Sequence, residues 1–214
     1  MLGRIDQRPE AALDIMSLAR LAVTVSMSCS FTPEKTGGSV GDPGQVESVS
    51  GASIPSRSAP EPFTCGIINA KSGRCAENCS FCAQSRYHAT ASPVYPLVSG
   101  ETLLERARLL AENGVDYMGI VISGTGPSGR DFEQICASAE RIARETGIRL
   151  CASLGILSDE QAVTLNQAGF SSYHPNLETA RSHYPHICAT HRLELRYRTV
   201  LTASAAGLRV CSGA

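Results

Sequence analysis

Four times in the second half of this chain a helical segment ends at a glycine and a short apolar strand follows. That alternation predicts an α/β fold with a parallel sheet. The junctions are Asn113-Gly114 before Val115–Ile122, Thr146-Gly147 before Ile148–Ser153, Ala168-Gly169 before Phe170–Tyr173, and Ala206-Gly207 before Leu208–Cys211. A further strand, at about Cys65–Asn69, precedes them, giving about five parallel strands and four or five helices. The polar and sulfur-bearing positions narrow the architecture. A cysteine-rich loop follows the first strand and Ser123-Gly-Thr-Gly126 follows the second. Cys151 lies on the third, Asn176 follows the fourth, and Cys211 ends the fifth. (β/α) barrels place their chemistry at the carboxyl ends of their strands. The expected fold is therefore a partial (β/α) TIM-type barrel.

Taken in order, the segments justify this reading. Residues 1–33 form an N-terminal region whose apolar stretch, Leu13 to Val25, contains Asp14 and Arg20 and lacks a clean cationic lead. It reads as a short amphipathic helix rather than a secretory signal. In Glu34–Pro62, Gly, Ser and Pro make up 15 of 29 residues, with no aromatic. So little apolar side chain reads as a flexible linker over 34–62. The barrel domain is expected over 63–214. Within it, Phe132, Ile135, Ala139 and Ile142 recur three or four apart and make one apolar helix face. Ser158 with Gln161 is a capping box, and Ser128 with Asp131 a weaker version. Each helix stops at a glycine because the next residue must turn left-handed.

Composition excludes several classes. The 214 residues are 43% hydrophobic with a net charge of −1, which leaves no electrostatic footprint for nucleic acid or an anionic membrane. No apolar run approaches the roughly 18 residues that a transmembrane helix needs. Nine cysteines without an export signal point to a reducing, cytoplasmic setting in which thiols bind metal rather than pair.

The run Cys75-Ala-Glu-Asn-Cys-Ser-Phe-Cys82 reads C-x3-C-x2-C. Three thiolates this close on one loop can converge on one soft metal centre. Structural zinc usually takes four ligands as two pairs. Three thiolates suit a [4Fe–4S] cluster with one iron left open to a small chelating molecule. A disulfide or zinc loop is the alternative reading of the same residues.

This spacing, with Phe81 just before the last cysteine, resembles the signature of radical S-adenosylmethionine enzymes. Cys65-Gly-Ile-Ile-Asn-Ala-Lys-Ser-Gly-Arg-Cys75 and Cys82-Ala-Gln-Ser85 resemble the cluster loop of biotin synthases more closely. Ile122-Ser-Gly-Thr-Gly-Pro127, Cys151-Ala-Ser-Leu-Gly155, Tyr173-His-Pro-Asn-Leu-Glu-Thr179 and Val210-Cys-Ser-Gly-Ala214 follow in that family's order. The resemblance covers roughly residues 63–214. It implies a radical-type (β/α) barrel with a [4Fe–4S] cluster on Cys75, Cys79 and Cys82, and sulfur insertion into dethiobiotin to form biotin. It also implies S-adenosylmethionine held by Phe81, Ser123, Gly124, Gly126, Asn176 and Glu178. For Phe81 an ordinary core aromatic is the alternative, and for the glycine loop a plain strand-to-helix turn. Cys151 and Cys211 match two ligands of an auxiliary [2Fe–2S] cluster, with buried small hydrophobes as the alternative. The resemblance further implies a flavodoxin or ferredoxin as electron donor and a homodimer.

Departures from the family pattern are specific. Gly119 stands where a third auxiliary cysteine is expected, and a fourth ligand, an arginine, would fall beyond residue 214. Cys188 is one candidate substitute. His174 and Pro175 replace the usual Asn and His, and Glu178 replaces Asp. Cys29, Cys65, Cys136 and Cys188 receive no role, Cys136 being expected in the core. The five histidines are expected in loops or at the surface. The chain stops as its fifth strand finishes, so the expectation is a truncated product or fragment. The departures keep two alternatives in view. One is a neighbouring enzyme that matures hydrogenase cofactors or rearranges an amino acid. The other is an inactive iron–sulfur-binding remnant.

Overall fold

Alternation of glycine-terminated helices with apolar strands gives five strands, β1 (Cys65–Lys71), β2 (Tyr117–Ile122), β3 (Arg149–Ser153), β4 (Phe170–Tyr173) and β5 (Arg209–Val210). They appear in a computed structural model that describes residues 63–213. The helix expected within 1–33 and the linker expected over 34–62 lie outside the described residues. All strand pairs are parallel and the order is β1-β2-β3-β4-β5. Among the described residues the sheet is thus an open arc of five strands with the neighbour relations of a (β/α) barrel. Among the described residues no helix is long and apolar enough to cross a membrane.

Five helices connect the strands: α1 (Gly100–Glu112), α2 (Gly129–Thr146), α3 (Asp159–Gln167), α4 (Tyr184–Ile187) and α5 (Leu193–Ala205). Gly114, Gly147, Gly169 and Gly207 all have the positive φ expected of them. The capping box of α3 is complete, since the Ser158 hydroxyl accepts from the Gln161 amide and the Gln161 side chain accepts from the Ser158 amide. At α1 the cap is one-sided, the Ser99 hydroxyl accepting from the Thr102 amide at 3.1 Å. At α2 the weaker box does not form. Asp131 instead pairs with Lys71 Nζ at 2.7 Å, so its carboxylate ties the end of β1 to the start of α2. The second strand begins two residues later than expected because the Val115 amide closes the turn after α1, donating to the Leu110 carbonyl at 3.0 Å.

Period-two alternation divides the sheet. Ala70, Met118, Ile120, Leu150 and Ala152 are buried with Leu103, Leu104, Ala107, Ile135, Ala139 and Ile142 from the helices. Cys136 joins this layer. A Cβ on Gly66 would meet the tip of the Leu110 side chain at 2.5 Å, so Leu110 would have to shift to admit one. The opposite face carries Cys65, Ile67, Gly119 and Cys151. A Cβ on Gly119 would point between Ile67 Cγ1 and Cys151 Sγ, and Ile67 is 73% exposed.

Candidate functional site

The loop after β1 begins with a left-handed pair, Gly73 and Arg74, at φ 80° and 54°. It then folds back on itself: Cys75 donates to the Gln84 carbonyl at 2.9 Å, and Arg86 returns a bond to the Cys75 carbonyl at 3.0 Å. Cys82 donates to the Cys79 carbonyl and Ser85 to that of Cys82. Cys79 is buried, Cys75 and Cys82 are half-buried, and all three are free thiols. The disulfide alternative for this loop is therefore not realised. Phe81 is 57% exposed on the outside of the loop rather than in the core.

The loop is clamped by the motifs that sequence placed at other strand ends. Ser123 Oγ donates to the Gly73 carbonyl at 2.8 Å, and Thr125 Oγ1 donates to Glu77. Gly126 and Gly155 allow the glycine loop after β2 and the turn after β3 to touch. A Cβ on Gly155, whose φ is +87°, would lie 2.4 Å from the Thr125 carbonyl oxygen, and one on Gly126 would lie 2.6 Å from that of Ile156. These glycines are needed for a backbone-to-backbone contact.

A polar chain unseen in the sequence continues from there. Asn78 Oδ1 accepts from the amides of Ala189 and Thr190 at 2.9 and 3.2 Å, seating the cluster loop on the segment after α4. Arg196 Nε donates to His191 Nε2 at 3.0 Å, which makes Nε2 an acceptor and leaves the proton on Nδ1. That Nδ1–H donates to Glu77 at 2.9 Å and faces Cys188 Sγ at 3.1 Å. The far side of Arg196 donates to the Asn176 carbonyl at 2.9 Å and to Glu178 at 3.3 Å. Thr125, Glu77, His191, Arg196, Glu178 and Asn176 thus join the loops after β1, β2 and β4. Burial alone would raise the Glu77 carboxyl, but bonds from Thr125, Thr190 and His191 hold it below the usual carboxylate range. His191 lies in a loop, as expected, but is buried there at 8% exposed. Its bond to Glu77 runs to a residue 114 positions away, which no local signal marked.

Cys79, Cys188 and His191 place one ligand atom each within 4.8 Å of one another. Single-ion binding there would need the His191 lone pair that Arg196 already engages, so the trio is better explained as part of the polar chain. In a cluster each thiolate holds its own iron, which does not require the three loop thiols to crowd around one point. The donor set of the loop therefore fits a cluster better than it fits zinc. Burial, followed by the neighbouring Cys188, pushes the Cys79 thiol up to about 12.

Asn176 Oδ1 accepts from the Gly213 amide at 3.3 Å, and Glu178 sits at φ +70° against Arg196. The His174 imidazole is shifted down by burial and then by Arg209. Cys151 is buried in mid-strand, 4% exposed, and Cys211 is half-buried beyond β5. The structure brings Cys65, not Cys188, to Cys151. The two thiols share a hydrogen bond, and the Cys65 sulfur also meets the Gly119 amide. The Cys151 bond and the Gly119 amide, against opposing burial, bring Cys65 down to about 7. The same bond, then burial, push Cys151 up.

The sequence model of the Radical SAM superfamily matches residues 70–214. Over 149 residues the chain is 57% identical to the biotin synthase of Nitratidesulfovibrio vulgaris, covering 70% of this chain and 41% of that protein. It is 51% identical over 149 residues to the biotin synthase of Pelotomaculum thermopropionicum, covering 70% and 46%. The chain therefore spans less than half the length of these curated relatives. Solved structures agree in fold. Methylornithine synthase superposes with a TM-score of 0.61 at 18% identity, covering 70% of this chain and 44% of that one. The FeFe-hydrogenase maturase of Carboxydothermus hydrogenoformans gives 0.60 at 17%, covering 70% and 35%. At those identities the likeness concerns the fold alone.

Proposed function

From the premise that the chain belongs to the Radical SAM superfamily, we propose that it carries the radical-forming half of a biotin-synthase-type sulfurtransferase acting on dethiobiotin. The observation that carries this reading is the free-thiol loop Cys75–Cys79–Cys82, clamped by Ser123, Thr125 and His191, in a chain 57% identical to a biotin synthase. Cys75, Cys79 and Cys82 would hold a [4Fe–4S] cluster. When bound, cluster and S-adenosylmethionine together supply the one-electron chemistry that opens unreactive C–H bonds.

The chain's own groups have separable tasks. Ser123 fixes the loop by its bond to Gly73, while Gly124 and Gly126 leave backbone open to the methionyl part of the cofactor. Asn176 and Glu178 offer an amide and a carboxylate to ribose hydroxyls, held in place through Arg196. Phe81, at the exposed tip of the loop, offers its ring face to the adenine. Cytoplasmic location, a homodimer and a flavodoxin or ferredoxin as electron donor complete the proposal. Gly119 and His174–Pro175, which depart from the biotin-synthase pattern, favour a second reading: a neighbouring enzyme that matures hydrogenase cofactors or rearranges an amino acid.

The test is anaerobic reconstitution of the full chain with iron and sulfide, followed by S-adenosylmethionine titration. About one [4Fe–4S] cluster per chain is expected. Its visible thiolate-to-iron absorption should disappear in each of Cys75→Ala, Cys79→Ala and Cys82→Ala, and S-adenosylmethionine should perturb its spectrum. Survival of the cluster in all three variants overturns the assignment. Biotin formed from dethiobiotin, against no product from other substrates, separates the two readings.

A further inference from the structure

Cys79 and Cys188 are far apart in sequence, yet hydrogen bonds on both sides hold them opposite one another. The Ser80 amide donates to the Ile187 carbonyl at 2.8 Å. The Ala189 amide donates to Asn78 Oδ1 at 2.9 Å. Ser80 thus stands opposite Ile187 and Asn78 opposite Ala189, an antiparallel register whose midpoint is Cys79 against Cys188. Cys188 itself is extended, at φ −151° and ψ 124°. This is the bonding pattern of a non-hydrogen-bonded antiparallel pair, with the Asn78 side chain standing in for its backbone carbonyl. Such pairs bring their Cα atoms to about 4.5 Å with side chains close together, and a disulfide spans Cα separations of about 4.4–6.8 Å.

The side chains meet as that register requires. The two sulfurs lie within 4.8 Å of each other. Both are buried in a small apolar cluster with Tyr184 and Leu193, separate from the main core, and both are free thiols. His191 Nδ1 faces the Cys188 sulfur at 3.1 Å. Cys188, but not Cys79, helps to line a cavity of about 500 Å³, together with Tyr184, His191, Arg181 and Arg192. The two arginines are exposed, so the cavity suits a small molecule bearing carboxylates and leads it to the Cys188 thiol.

We propose that Cys79 and Cys188 are a redox pair, which closes to a disulfide while the loop carries no cluster and so withdraws one cluster ligand until it is reduced. The oxidant is a low-molecular-weight disulfide admitted by the cavity. The Cys188 sulfur attacks one of its sulfurs, forming a mixed disulfide and releasing one small thiolate. The Cys79 sulfur then attacks the Cys188 sulfur. The Cys79–Cys188 bond forms, the mixed bond breaks and a second small thiolate leaves. The protons of the two protein thiols end on the two released thiols, and two electrons pass from protein to oxidant. Excess small thiol reverses both steps. The pairing rests on geometry alone, whereas its effect on loading rests on the proposed cluster loop. A loaded cluster protects the pair, because Cys79 is then bound to iron.

The test reads a cross-link and metal content rather than turnover. The full chain, reduced and not yet given iron, is treated anaerobically with oxidised glutathione. Peptide mapping by mass spectrometry, without reduction, should find the peptide bearing Cys79 joined to the one bearing Cys188. Reconstitution with iron and stoichiometric sulfide, and no added thiol, should then give less than about a tenth of the roughly four irons that the reduced chain takes up. Dithiothreitol before reconstitution should restore them. Cys188→Ser, treated alike, should form no such cross-link and keep most of its iron uptake. Its own reduced sample, at about four irons, shows that the variant folds. Cross-links confined to Cys75, Cys79 and Cys82, or a parent chain whose Cys79 and Cys188 stay free, overturn the proposal without reference to any variant. Equal loss of iron uptake in the parent and in Cys188→Ser overturns it too. If the cross-link forms but the reduced chain binds no cluster, the pairing stands and the loop assignment falls instead.

Discussion

Replacing Arg196 by Met should cost about 3 kcal/mol of stability, and the structure explains the size. The guanidinium donates to the Tyr184 hydroxyl at 2.8 Å, His191 at 3.0 Å, the Asn176 carbonyl at 2.9 Å and Glu178 at 3.3 Å. A hydrogen bond to a charged group contributes about 1.5–3 kcal/mol, so simple addition would give more than twice the predicted loss. Addition overstates it, because bonds sharing one donor group are not independent. Both Arg196 and Glu178 side chains are also 20% exposed, so water can replace part of what is lost. Removing one partner of a fully buried pair costs about 3–5 kcal/mol, and the partial exposure places this site at the lower end. The assay is urea unfolding of the full chain followed by circular dichroism. With a slope of about 2 kcal/mol/M the midpoint should fall by about 1.5 M. Arg196→Lys should recover less than half of this, because an ammonium cannot span the fork. Glu178→Gln should add little when made on top of Arg196→Met. A midpoint shift below about 0.4 M at unchanged slope, or full recovery by Lys, would refute the idea that Arg196 joins these loops.

Two further outcomes follow from the same contacts. Gly155→Ala should lower the thermal midpoint more than Gly114→Ala. Both have positive φ, but a Cβ at 155 meets the Thr125 carbonyl oxygen at 2.4 Å whereas one at 114 meets nothing within 4 Å; equal losses, read by calorimetry, would contradict the backbone contact. Glu77 titrates lower in the folded chain than at its ordinary 4.5. The unfolded chain therefore takes up the proton first, and the stabilisation present above about pH 4.5 is lost as pH falls through the folded value. Glu77→Gln should flatten the stability profile below about pH 5, and an unaltered profile would exclude its role in that acid sensitivity.

Much of this protein is decided locally and is legible in its sequence. Strand and helix order, the α3 capping box, the helix-ending glycines and the gathering of three thiols on one loop depend on residues a few positions apart. Hydrophobic periodicity and turn chemistry report such separations directly. The failure of the Ser128–Asp131 box shows the limit. Asp131 had a cap to make locally, but Lys71, 60 residues away, took it once β1 and α2 were packed together. His191 and Arg196 carried no local mark either, because Glu77 lies 114 residues from the imidazole it binds. Cys65 is the sharpest case. Its sequence neighbours suggest only an apolar strand, and Gly119 suggests only a missing ligand. Their relation exists because parallel pairing fixes the register of β1, β2 and β3 and puts every second side chain on one face. Sequence alone determined which elements form and which sulfur atoms share a loop; tertiary structure decided which distant side chains meet across the loops, because strand register and packing are properties of the paired sheet.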